Sequence, residues 1–270
     1  MTPALGATLA AQRAAGRTLL VGYVMAGSTP TWLDTAEALV AAGVDALEVG
    51  LPFSDPVLDG PVIQDAATRA LRAGTTVSSV CGELKARSLG VPLVAMTYAN
   101  VVLAHGYART AGRLADAGVS GAIIADLPLE ELDGWWAAAH AVAIETVLLA
   151  APSTPPARLD AIGARSEGFL YAMGRMGTTG ETHELDPRGV ALVRSLRGRT
   201  SLPILLGVGV STPAHAASAA LAADGVIVGT AIVRRMLDGV APEGVAAFAA
   251  SLRAALDAPA STPTPDPKGV

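Results

Sequence analysis

The feature that most constrains this chain is an alternation. A short run of aliphatic and β-branched residues is followed by a helical pattern, and the pair recurs eight times along 270 residues. The strand runs fall at 19–26, 46–50, 92–97, 121–125, 145–149, 168–173, 203–206 and 225–228. Between them lie stretches with apolar residues at helical spacing, such as Leu33, Ala36, Leu39 and Val40 ahead of Gly43. Eight evenly spaced strand–helix units predict a single-domain α/β protein, a (β/α)8 barrel of the TIM type. A doubly wound open sheet is the alternative, and the even spacing favours closure. An extra amphipathic helix, Pro3 to Ala15, precedes the first strand, and Ser28 or Thr29 is expected to cap the next helix, with Pro30 in its first turn. The barrel domain is expected to span 1–257. The Pro/Thr-rich tail at 258–270 is expected to be disordered.

Composition excludes several functions. Hydrophobic residues make up 51% of the chain, largely alanine, and mean hydropathy is +0.45. No uninterrupted apolar run reaches spanning length, Glu145 interrupting one such stretch, so no membrane role is expected. The net charge of −5 comes without a basic stripe, which argues against nucleic acid as a partner. The single cysteine, Cys81, permits no internal disulfide and reads as a small buried hydrophobe. Arg13 and Arg17 ahead of the apolar run 18–27 imitate a short signal peptide, but a first barrel strand accounts for the same run, and the expected location is cytoplasmic. Imine chemistry needs a lysine at the site. The only lysines are Lys85, on an outer helix, and Lys268, in the tail. His105, His140, His183 and His215 are scattered, so no metal cluster is expected.

Chemistry in such barrels sits at the C-terminal ends of the strands. The richest end is Ala46 to Gln64, ALEVGLPFSDPVLDGPVIQ. Period-two alternation puts Leu47 and Val49 on one face and Glu48 on the other; in a sheet covered on both faces Glu48 points into an enclosed space, which raises a carboxyl pKa. The loop that follows carries Asp55 and Asp59 and is stiffened by Pro52, Pro56, Gly60 and Pro61. Read from these residues alone, a structural glutamate and aspartate turn chemistry compete with an acid/base pair. The remaining strand ends offer Tyr98-Ala99-Asn100, Asp126-Leu127-Pro128, Tyr171, Gly207-Val208-Gly209 and Gly229-Thr230. The two glycine pairs lead into helices after strands seven and eight, where backbone N–H groups and helix dipoles commonly hold phosphate. The glycine-hinged loop from Gly174 to His183 reads as a lid or as an ordinary solvent loop.

The run EVGLPFSDPVLDGPVIQ resembles the signature of the tryptophan synthase alpha chain family. The resemblance extends through MTYAN at 96–100, ADLPLEE at 125–131, Tyr171 with the glycines and threonine up to Gly180, GVGVS at 207–211 and GVIVGTA at 225–231. It implies a retro-aldol cleavage of indole-3-glycerol phosphate to indole and glyceraldehyde 3-phosphate, with no cofactor and no metal in this chain. Glu48 corresponds to the family's general acid, protonating indole C3, and Asp59 to the carboxylate that holds the indole N–H. Thr179, beside Gly180, matches the lid threonine that closes over Asp59. Gly209, Ser211, Gly229 and Thr230 map onto the phosphate cradle, with Gly207 and Val208 in the same loop. Tyr171 and Leu127 would line the indole pocket, with Tyr98 and Asn100 among the substrate-binding positions. Asp55 would face a beta chain that carries pyridoxal phosphate, in an α2β2 heterotetramer. Ser28 departs from the family's usual aspartate, Val208 from a larger residue, and Gly174 and Met176 from the usual neighbours of Arg175. Two other readings follow from the same lineage: a free-standing indole-3-glycerol phosphate lyase, and a catalytically weak paralogue acting as a binding or activating partner.

Overall fold

The computed structural model describes residues 3–174, 187–207 and 209–258. Its strands are β1 (Leu19–Met25), β2 (Ala46–Gly50), β3 (Leu93–Thr97), β4 (Val119–Ile124), β5 (Glu145–Thr146), β6 (Leu148–Ala150), β7 (Leu170–Met173), β8 (Ile204–Gly207) and β9 (Gly225–Val228). They pair in parallel, in the order β5-β4-β3-β2-β1-β9-β8-β7-β6. β5 and β6 are two halves of one barrel strand, interrupted at Val147. The first half pairs with β4 and the second with β7, so nine segments trace the eight strands expected from the sequence and the sheet closes on itself. The interruption has a local cause: the N–H groups of Thr146 and Leu148 donate to Glu167 Oε2 (2.8 Å) and Ser166 Oγ (3.0 Å). Val147 N–H still donates to Ala122 O at 2.9 Å and keeps the wall continuous.

Strand alternation separates two apolar layers. Leu47, Val49 and Ala95 face the surrounding helices, whereas Val21, Ala46, Val94, Phe169, Leu205 and Ile227 fill the barrel interior. The N-terminal helix, Leu5–Ala14, inserts Leu5 and Leu9 into the inner layer. Glycine makes this possible, because a Cβ at Gly121 or Gly168 would lie 2.5 Å from Leu5 Cδ2. The helix is fastened by its own first turn, where Gly6 N–H donates to Glu145 Oε2 at 2.6 Å. With that end filled, the barrel opens at the C-terminal ends of its strands.

Two expectations need correction. The helix after β1 is Trp32–Ala41, preceded by Thr31 with no side-chain cap, and the hydroxyls of Ser28 and Thr29 have no hydrogen-bond partner among the described residues. Gly27, at φ 71°, and a Trp32 N–H to Thr29 O bond of 3.3 Å form a turn that places Pro30 ahead of the helix. The chain after β3 also forms a helix, Ala99–His105, seven residues being too few to display a helical period. The lid segment lies outside the described residues from 175 to 186, as does the tail from 259 onward. Among the described residues no helix is long and apolar enough to cross a membrane.

Candidate active site

Glu48 sits in the middle of β2 on its interior face and is 1% exposed. Its Oε1 has no hydrogen-bond partner among the described residues. Burial without a countercharge pushes its pKa from the ordinary 4.5 up to about 8, so the carboxyl is mostly protonated at neutral pH.

Asp59 is presented by the loop after β2, and several motif residues there have a structural task. Asp59 N–H donates to Pro56 O at 3.0 Å, and Gln64 Nε2 donates to Asp59 O at 2.9 Å. Gly60 and Pro61 start the helix Pro61–Arg72. Tyr98, arriving from the end of β3, locks the loop from beneath. Its hydroxyl accepts from Leu58 N–H (3.2 Å) and donates to Asp59 Oδ2 (3.0 Å), while Phe53 stacks on its ring at 5.2 Å. Burial raises the Asp59 pKa from 3.8 to about 6, and the Tyr98 hydrogen bond pulls against that rise. Removing the donor in Tyr98→Phe should move the Asp59 titration, followed by NMR of labelled protein, above about 6.

Both carboxylates line one cavity at the barrel mouth. Its walls are Tyr23, Tyr171, Met96, Ile63 and Ile227, and the turns Gly209 to Ser211 and Gly229 to Ala231 complete its lining. Gly209 has φ 100°, a left-handed conformation that favours glycine. Gly229 precedes the helix Thr230–Leu237, whose N-terminus therefore points its free N–H groups at the cavity. Ser211 Oγ is 3.2 Å from His215 Nδ1. The arrangement can hold an anion at one end and exchange protons with a ligand at the other.

The expected residues are not all brought together. Glu48, Asp59, Tyr171, Gly209, Ser211, Gly229 and Thr230 meet in this cavity. Tyr98 lies behind Asp59, in a small adjoining hollow, and acts on the carboxylate rather than on the main cavity. Asn100 is exposed on the helix Ala99–His105 and lines neither space. Leu127 belongs to a separate apolar hollow beside Val147 and Leu149. Gly207 makes room: a Cβ there would lie 2.2 Å from Tyr171 Oη. Thr179, Gly180 and Val208 lie outside the described residues. Asp126 accepts from Ala99 N–H at 2.6 Å and so secures the start of that helix. Among the described residues no cluster of metal ligands forms. Ile63, Met96, Val210, Ile227 and Ala231 line the cavity without having been singled out as site residues, and Tyr23 is the polar side chain that sequence reasoning missed there. The signal was present, since in LLVGYVM it shares a face with Leu19 and Val21.

A closed parallel barrel whose mouth gathers two carboxyl groups and two glycine turns into one cavity defines the class, a (β/α)8 barrel with a site at the C-terminal ends of its strands. Comparison with known proteins specifies it further. The family model for the tryptophan synthase alpha chain matches residues 9–255. The alpha chain of Streptomyces coelicolor is 44% identical over 257 residues, covering 92% of this chain and 94% of that one. The alpha chain of Chloroflexus aurantiacus is 41% identical over 261 residues, covering 93% and 98%. Among solved structures, a chain of Mycobacterium tuberculosis tryptophan synthase superposes with a TM-score of 0.87 at 37% identity, covering 95% and 99%. The alpha subunit of Legionella pneumophila gives 0.84 at 31% identity, covering 94% and 98%. The chain belongs to the tryptophan synthase alpha chain family, which makes it an enzyme subunit of tryptophan biosynthesis.

Proposed function

We propose that this chain cleaves indole-3-glycerol phosphate to indole and glyceraldehyde 3-phosphate by acid/base catalysis. The observation that carries the reading is the enclosed Glu48 carboxyl, whose Oε1 has no hydrogen-bond partner among the described residues, facing the same cavity as the Tyr98-held Asp59 and the glycine loops. In this reading Gly209, Ser211, Gly229 and Thr230 bind the phosphate through N–H and O–H donors. Asp59, ionised, accepts the indole N–H and stabilises positive charge on the ring. Glu48, protonated, delivers its proton to indole C3. The bond from C3 to the side chain then breaks, its electrons returning to the ring. The adjacent hydroxyl becomes the aldehyde, and its proton returns to the Glu48 carboxylate. The chemistry balances within the chain and asks for no cofactor or metal of its own.

The same reading assigns a beta chain as partner in an α2β2 assembly, with pyridoxal phosphate confined to that partner. Val57 and Leu58, on the Asp59 loop, and Leu103, on the neighbouring helix, are exposed apolar residues suited to such a face. A cytoplasmic location goes with it. The test is indole release by the isolated chain, with and without added beta chain. Stimulation by the beta chain is expected. Full activity alone would instead assign a free-standing lyase, and complex formation with no release under any condition a binding partner.

The opposed protonation states also set a pH profile. Asp59 must be ionised, so kcat/KM should fall below about pH 6; Glu48 must be protonated, so it should fall again above about pH 8. A flat profile across that range would remove both carboxyls from the proton chemistry.

A further inference from the structure

Tyr23 is placed where the proposed chemistry leaves a need unmet. Across the β1–β2 ladder it stands in register with Glu48. Its ring lies between the Gly229 turn and the end of β2. A Cβ at Gly229, on the glycine side, would lie 3.5 Å from Tyr23 Cβ, and a Cβ at Gly50, on the acid side, would lie 2.0 Å from Tyr23 Oη. Gly50 therefore makes the space in which this hydroxyl sits, much as Gly207 does for Tyr171. The residue is 7% exposed and borders both the main cavity and the chamber behind Asp59.

On the reading above, the substrate presents two hydroxyls on the three carbons between ring and phosphate. Among the described residues, the walls between the acid and glycine ends supply Ile63, Met96 and Ile227, which are apolar, Glu48, which is committed to proton transfer, and two phenols. We propose that Tyr23 is a specificity-determining residue whose hydroxyl donates a hydrogen bond to this hydroxylated three-carbon side chain. Burial, with Asp59 and Glu48 close by, holds the phenolic proton far above the ordinary tyrosine range. Tyr23 is thus a donor throughout the working pH range and never a competing base. A site that hydrogen-bonds a substrate hydroxyl rejects analogues lacking it far better than an apolar wall does, because its own donor is then left unpaired.

The proposal rests on the proposed function, and its test separates the two. In Glu48→Gln protein, which binds without turning over, calorimetry gives Kd for indole-3-glycerol phosphate and for indole-3-propanol phosphate, which lacks both hydroxyls. Adding Tyr23→Phe should weaken the hydroxylated ligand about tenfold and leave the propanol ligand unchanged. Equal weakening of both ligands, or of neither, overturns the assignment. If neither ligand binds before Tyr23 is altered, the substrate class is wrong and this inference falls with it. As a second measurement, Tyr23→Phe alone should raise KM with both limbs of the pH profile in place. Movement of either limb would mean that the phenol acts through the carboxyls, and would also overturn it. Unchanged melting shows that the variant folds, phenylalanine differing from tyrosine only by the hydroxyl.

Discussion

Replacing Glu48 with glutamine is expected to lower indole release about a thousandfold or more while the protein folds normally. Glutamine keeps the shape of the side chain and removes the transferable proton. The second signature is in stability. In the folded chain Glu48 holds its proton up to about pH 8, whereas the unfolded chain releases it near 4.5. Between those values the folded state binds more protons, so wild-type stability is fully present below about 4.5 and declines as pH rises toward 8. The Glu48→Gln protein lacks that term. It should therefore gain on wild type across the window, by on the order of a few kcal/mol at its upper end. Denaturant melts at pH 5 and pH 8.5, paired with an indole assay, check both parts. Near-normal turnover would remove Glu48 from the mechanism, and a pH-independent stability difference would mean that its carboxyl is not held protonated.

Asp59→Asn is expected to cost a hundredfold or more in kcat, as for other positioned acid/base groups. The amide oxygen can still accept the Tyr98 hydroxyl that Asp59 Oδ2 accepts at 3.0 Å, so the loop should keep its course. What disappears is the negative charge facing the cavity. The acid limb of the pH profile near 6 should vanish with it, leaving only the alkaline limb. Stopped-time assays between pH 5 and 9, with melting curves alongside, decide the matter. Lower stability with unchanged kcat would mean that Asp59 serves only its turn. That alternative has substance, because the backbone of Asp59 does make turn bonds to Pro56 and Gln64.

Much of this arrangement was legible in the chain because local rules carried it. Alternation in β2 separated Glu48 from Leu47 and Val49, and a side-chain period of two leaves no third direction. Glycine and proline marked the loop ends for the same reason, since their backbone limits act within a residue or two. The misses arose where a position depends on remote neighbours. Asn100 and Leu127 follow the ends of β3 and β4, yet one faces outward on a short helix and the other enters a different hollow. Tyr98 serves Asp59 because the end of β3 comes beneath the loop after β2, a closeness between residues 39 apart that no local pattern expresses.

By itself the sequence determined the eightfold alternation of strands and helices, the inward face of β2 that carries Glu48, and the glycine turns that follow β8 and β9. All follow from short-range geometry and from solvent sorting apolar side chains from polar ones. The tertiary structure alone decided that Glu48 Oε1 has no hydrogen-bond partner among the described residues while Asp59 Oδ2 has one. It also decided that Gly50 and Gly207 are the hollows into which two tyrosines lie. Those outcomes depend on barrel closure, because hydrogen bonding and desolvation answer to whatever atoms surround a group, from any part of the chain.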